Sequence, residues 1–164
     1  MKLTQTIELL RTGTFPDSRE WKASMAEVKA AIRAVVWPRG SSRFTINPSR
    51  GRGRGEGNGV KPIKEACMLA LTKSGWSTDE RHNPLRLDAV KPTADGRSIG
   101  LEWETGNISS SHRSINRLLD GNRRGLVAAG VLIVPTRALY RYLTDRVGNL
   151  SELKPYFDLW REMT

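Results

Sequence analysis

The sequence has little of what would mark a secreted, membrane-bound or thiolate-metal protein. Its 164 residues contain a single cysteine, Cys67, which excludes an internal disulfide and a thiolate metal cage. No apolar run approaches the ~18 residues that a membrane span needs, and the N-terminus lacks a signal-peptide pattern. We therefore expect one cytoplasmic domain over residues 1–164, with no membrane partner.

Acidic residues are in the minority, which predicts a polyanionic partner. Asp and Glu number 17 against 27 Lys and Arg, giving a net charge of +10 and a pI near 10.4. Arginine supplies most of the cations, and its planar guanidinium suits phosphates and guanine edges. Charge alone would also suit RNA, an anionic membrane or an acidic protein. RNA is disfavoured because only 7% of residues are aromatic and no base-stacking pattern is present.

An acidic strand is the most informative stretch. From Ser98 to Glu104 apolar and polar residues alternate, the period of a strand with one buried face. Glu102 and Glu104 then share a face, about 6.5–7 Å apart along the strand. A divalent cation would relieve their repulsion. The alternative interpretation is the solvated side of an amphipathic strand.

A hairpin brings a third carboxylate to this place. Residues 85–90 form a second strand-like run that turns back into the acidic strand. A two-residue turn would put Asp88 on the apolar face. A three-residue loop at 94–96, with Gly96 in the left-handed conformation, puts Asp88 opposite Glu102. We predict the second register because it groups the carboxylates.

Two helices are predicted before the hairpin. A capping box at 17–20 begins the first, which ends before Pro38, and the second runs from Pro62 to about Ser74. Glu65 lies off the apolar face of the second helix. It is either an auxiliary acidic residue of the carboxylate site or, as is commoner, a solvated charge.

A third helix and a buried strand follow the acidic strand. A serine at 109–111 is predicted to cap this helix, whose free amides would suit a phosphate. Its predicted inner face carries Ile108, His112, Ile115 and Leu119. We interpret His112 as a structural histidine because it lies at an apolar position. Residues 126–134 are almost wholly apolar, which predicts a parallel strand covered on both faces. The sheet is therefore mixed and the fold class α/β, with C-terminal helices at 139–147 and 153–160 covering it.

The loop at 50–57 alternates arginine with glycine. Arg50, Arg52 and Arg54 would neutralise a phosphate chain that the glycines allow to approach closely. A solvated loop that contacts nothing explains the same composition equally well.

Taken in order, these features resemble the PD-(D/E)xK nuclease superfamily, in which an aspartate on one strand precedes a D/E-x-K pair on the next. Here Leu87 replaces the usual proline and Glu104 the usual lysine. The ExE variant and its flanks look like the BglII/BamHI group of type II restriction endonucleases over roughly residues 20–160. The flanking phrases are Asn58 to Lys64, Gly75-Trp76, Gly106 to Arg113 and Gly130 to Pro135.

The resemblance implies a restriction-endonuclease-like mixed sheet flanked by helices. It implies Mg²⁺ held by Asp88, Glu102 and the main-chain carbonyl of Trp103, with Glu104 activating the attacking water. The implied enzyme is a homodimer that cuts double-stranded DNA at a palindromic site and leaves 5′-phosphates. A cognate DNA methyltransferase is a candidate partner.

The same resemblance assigns the DNA backbone beside the scissile phosphate to Asn107, Ser110 and Arg113. Enzymes of this group are typically longer, so we expect a C-terminal extension to be lacking. Two alternatives stay open. One is a structure-specific or repair nuclease of the same fold, and the other is a non-catalytic DNA-binding relative that uses the basic surface alone.

Overall fold

The computed structural model describes residues 1–46, 60–78, 85–140, 142–143 and 148–162. Its sheet has the strand order β1–β2–β3, where β1 is Ala89–Pro92, β2 is Ser98–Trp103 and β3 is Val127–Ile133. β1 runs antiparallel and β3 parallel to β2. The predicted mixed sheet and α/β class are therefore confirmed.

The hairpin has the predicted register. Ala89 pairs with Leu101, so that Asp88, the residue before β1, is opposite Glu102. Gly96 has a φ of 82°, the left-handed conformation that glycine adopts without strain and that a three-residue loop requires.

Helices lie before, between and after the strands. The longer ones are α1 (Arg19–Ala34), α2 (Val60–Thr72) and α3 (Ile108–Arg123). The C-terminal ones are short: α4 (Arg137–Tyr140), α5 (Leu150–Leu153) and α6 (Phe157–Glu162). No helix in the described ranges is long and apolar enough to cross a membrane.

One face of β2 forms the main core. Ile99, Leu101 and Trp103 are buried against apolar side chains of α1 and α2, including Ile32 and the buried thiol of Cys67. Desolvation raises the pKa of that thiol to about 12, which agrees with its interpretation as a core residue. The other face of β2 is turned to α3.

α3 differs from the prediction in its cap and its inner face. Its N-cap is Asn107, whose side-chain oxygen accepts the Ser110 N–H at 3.0 Å, so the predicted serine cap is wrong. Its buried residues are Ser111, Ser114, Ile115, Leu118 and Gly121. Of the predicted inner face only Ile115 is fully buried, but Ile108 and Leu119 pack with it against the C-terminal helices and His112 contacts Trp160. The prediction therefore identified the side of α3 that faces the C-terminal helices and missed the side that faces the sheet.

The last strand and last helices also depart from expectation. Only Val127 of β3 is fully buried, so the prediction of cover on both faces is wrong. β3 is partly exposed because it is at the edge of the sheet among the described strands. Of the helix predicted over 139–147, the described residues show the start, in α4, and residues 141 and 144–147 lie outside the described residues. Leu153 and Trp160 pack with Ile115 of α3.

Candidate active site

The three predicted carboxylates are all at the same end of the hairpin. Asp88 immediately precedes β1, Glu102 is near the end of β2, and Glu104 follows β2 by one residue. Each of the three accepts a hydrogen bond from a side chain of a flanking helix. The acidic face of β2 is therefore covered, and its interpretation as a solvated strand face is wrong for Glu102, which is 2% exposed.

Asp88 has a partner on each carboxylate oxygen. Its Oδ1 accepts from the Lys64 ammonium at 2.5 Å, and its Oδ2 accepts the main-chain N–H of Trp103 at 2.8 Å. The main-chain contact fixes the carboxylate across the strand pair. The lysine contact joins it to α2.

Glu102 is the buried charge of the site. Its Oε1 accepts from Nη1 of Arg117 at 2.6 Å. The pKa of Glu102 is raised to about 7, first by burial and then by the nearby charge of Asp88, against the opposing effect of Arg117. A carboxylate so placed gains from any additional cation.

Glu104 is half-buried and points to the same helix. Its Oε1 accepts the hydroxyl proton of Ser114 at 2.6 Å. Ser114 and Arg117 are three residues apart on α3 and therefore share one of its faces. This face holds both glutamates of the ExE pair.

The donor chemistry fits a divalent metal such as Mg²⁺. Asp88 and Glu102 offer carboxylate oxygens, the ligands that Mg²⁺ prefers. The pKa of Glu102 is raised mainly by burial and then by the charge of Asp88, and a bound cation would counter both effects. Among the described residues, no three His, Cys, Asp or Glu side chains are grouped closely enough to hold an ion. The predicted ligand set needs only two carboxylates and the carbonyl of Trp103.

The predicted DNA-contacting residues of α3 form a chain beside Glu104. Asn107 Oδ1 accepts from both the main-chain N–H and the hydroxyl of Ser110, at 3.0 and 3.3 Å. Nη2 of Arg113 donates to the Ser110 hydroxyl at 3.0 Å. Asn107 and Arg113 are exposed. The three side chains are thus brought together at the start of α3.

The other candidates lie farther out or outside the described residues. Glu65 is exposed and pairs with Arg39 at 3.6 Å, as a solvated charge would. It lines an open cleft of about 500 Å³ together with Lys64 and Asp88. The loop arginines at 50, 52 and 54 are outside the described residues, and their role stays a prediction.

Three site residues were missed by sequence reasoning: Lys64, Ser114 and Arg117. Ser110, Ser114 and Arg117 follow helical spacing, so a polar stripe on α3 was a readable signal. Lys64 had no comparable signal, because its contact depends on how α2 is docked on the hairpin.

Residues 1–164 match the family Restriction endonuclease BamHI. The chain is 45% identical over 168 residues to the type II restriction enzyme OkrAI of Oceanobacter kriegii, covering 99% of this chain and 82% of that protein. It is 39% identical over 145 residues to the type II restriction enzyme BamHI of Bacillus amyloliquefaciens, covering 81% of this chain and 66% of that protein.

Proposed function

This chain belongs to the BamHI family of restriction endonucleases, and from that premise we propose that it is a Mg²⁺-dependent type II enzyme. Its substrate is double-stranded DNA with a short palindromic site, and its products carry 5′-phosphates. The observation that carries the proposal is the meeting of Asp88 and Glu102 at paired strand ends, with Glu104 beside them.

Each carboxylate has a distinct role in this proposal. Asp88, Glu102 and the carbonyl of Trp103 hold Mg²⁺, which when bound neutralises charge on the phosphodiester and acidifies a bound water. Glu104 orients the attacking water and accepts its proton. Its hydrogen bond from Ser114 supports this role, because a general base must be held in one orientation.

The start of α3 holds the DNA backbone. Asn107, Ser110 and Arg113 are linked by hydrogen bonds in the first turns of α3, three to nine residues after Glu104, and a helix N-terminus favours phosphate. The net charge of +10 supplies the sequence-independent part of the affinity.

The assembly follows from the substrate. A palindromic duplex has twofold symmetry, so a homodimer in which each copy cuts one strand fits it. Such an enzyme works in the cytoplasm beside a methyltransferase that protects the host DNA.

Digestion of unmethylated genomic DNA with and without Mg²⁺ tests the activity. We expect discrete fragments that require Mg²⁺. Asp88→Ala and Glu102→Ala should bind DNA without cutting it, whereas Glu8→Gln, a control at an exposed carboxylate paired with Arg11, should cut normally. Cleavage restricted to branched DNA would favour a structure-specific nuclease instead. Salt-sensitive binding without cleavage or metal dependence would favour a non-catalytic relative.

A further inference from the structure

Two cationic side chains form salt bridges with the carboxylates that are proposed to bind metal. Lys64 reaches Asp88 from α2, and Arg117 reaches Glu102 from α3. The two cations come from opposite sides of the sheet, and each contacts one oxygen of its carboxylate, Oδ1 or Oε1.

We propose that Lys64 and Arg117 are exchangeable counter-cations of this site. They neutralise Asp88 and Glu102 in the metal-free protein, and a divalent cation displaces them from the oxygens that become its ligands. The proposal rests on the proposed Mg²⁺-dependent function. In this proposal, metal binding is an exchange of cations and does not use a preformed empty site.

Burial explains why the metal-free site requires such partners. Glu102 is 2% exposed and interacts unfavourably with the charge of Asp88. An ionised carboxylate buried without a partner is strongly destabilising, so an internal cation is needed when Glu102 is charged and no metal is bound. Arg117 meets this need for Glu102, and Lys64 does so for Asp88.

The exposure of the two cations explains why they can leave. The Lys64 side chain is 36% exposed and the Arg117 side chain 38%, whereas those of Asp88 and Glu102 are 10% and 3% exposed. Lys64 also lines the open cleft beside α2, so its ammonium can move into solvent without leaving a void.

Asp88 shows which contact is exchanged. Its Oδ2 accepts the main-chain N–H of Trp103, a bond that holds the hairpin. Within the described part of the chain, its Oδ1 accepts a hydrogen bond only from Lys64. Release of Lys64 therefore frees an oxygen without disturbing the strands. Arg117 has a second anchor, since its Nη1 also donates to the carbonyl of Arg86 at 3.0 Å.

Calorimetric titration with Ca²⁺, which takes the same oxygen ligands, tests the exchange on the full chain without DNA. Lys64→Met and Arg117→Met should each bind the ion roughly tenfold more tightly than wild type, because one charge-assisted hydrogen bond no longer has to be broken. Two matched controls are Lys73→Met and Arg124→Met. Lys73 is an exposed lysine just after α2, and Arg124 is the C-cap residue of α3 and pairs with exposed Asp120. Both controls should leave the affinity unchanged.

The outcomes separate the exchange from the proposed function. Unchanged or weaker Ca²⁺ binding in both site variants overturns the exchange while leaving the metal site intact. Absence of binding in wild type and variants alike removes the metal site itself, and the exchange with it. If Arg117→Met does not fold, Lys64→Met decides together with Arg117→Lys, which keeps the charge and should bind Ca²⁺ as wild type does.

Discussion

The two faces of β2 are both buried, but they are filled by different chemistry. On one face Ile99, Leu101 and Trp103 pack against the apolar stripes of α1 and α2. On the other, Glu102 and Glu104 meet a hydroxyl and a guanidinium of α3. Burial alone does not distinguish a structural face from a functional one in this strand.

The difference lies in what each face does for stability. Apolar burial stabilises the fold by about 25 cal/mol per Å², whereas a buried carboxylate must be compensated by a partner and often contributes nothing net. The acidic face is thus a place where the sequence breaks a folding rule, and such places are where function is expected.

The strongest contrast should come from neutralising Glu102. Glu102→Gln keeps the size of the side chain but removes the charge, so we expect Mg²⁺-dependent cleavage to fall by roughly 10³-fold or more. The metal-free protein should stay as stable or become more stable in urea denaturation. A variant that loses several kcal/mol of stability would show that the acidic face is structural instead.

The opposite face should respond in the opposite way. Leu101→Ala removes a fully buried side chain from the main core and should lower the free energy of unfolding by roughly 2–5 kcal/mol. Single-turnover cleavage by the remaining folded protein should be close to wild type. Equal losses of stability from Leu101→Ala and Glu102→Gln would erase the distinction between the faces.

The alternation along β2 and the hairpin register were readable from the sequence for a physical reason. Strand periodicity and loop length are local, and the left-handed Gly96 follows from a three-residue loop. Asp88 opposite Glu102 was therefore predictable. The family resemblance then added roles to these residues, and the roles stay predictions.

The partners of the carboxylates were not readable, because they depend on helix docking. Ser114 and Arg117 reach the glutamates only because α3 turns a polar stripe to the sheet, with Gly100 allowing close approach. A Cβ added at Gly100 would lie 3.1 Å from Leu118 and 2.5 Å from Leu87. Such distances are set by tertiary packing, which periodicity does not report.

Titration of Glu102 should make the stability of the metal-free protein depend on pH. Glu102 has an ordinary pKa of 4.5 and a folded pKa of about 7. Its contribution is most favourable below pH 4.5, and it is lost as the pH rises through 7, because the folded state must then carry a buried charge. Relative to Glu102→Gln, metal-free wild type should lose roughly 3 kcal/mol over this range. Urea denaturation of both proteins at pH 4.5 and pH 8 measures this difference, and parallel stabilities would contradict it.

The smallest effect is expected at Ser114, which positions Glu104 without being acidic itself. Ser114→Ala removes the 2.6 Å hydrogen bond to Glu104 Oε1 and should cost about 1 kcal/mol in stability. If Glu104 is the general base, it is no longer held in one orientation, so the cleavage rate should fall roughly tenfold. A merely structural serine would lower stability without slowing cleavage by the folded protein. Ser114→Thr, which retains the hydroxyl, should recover the wild-type rate, whereas Ser109→Ala at an exposed position of α3 should leave stability unchanged.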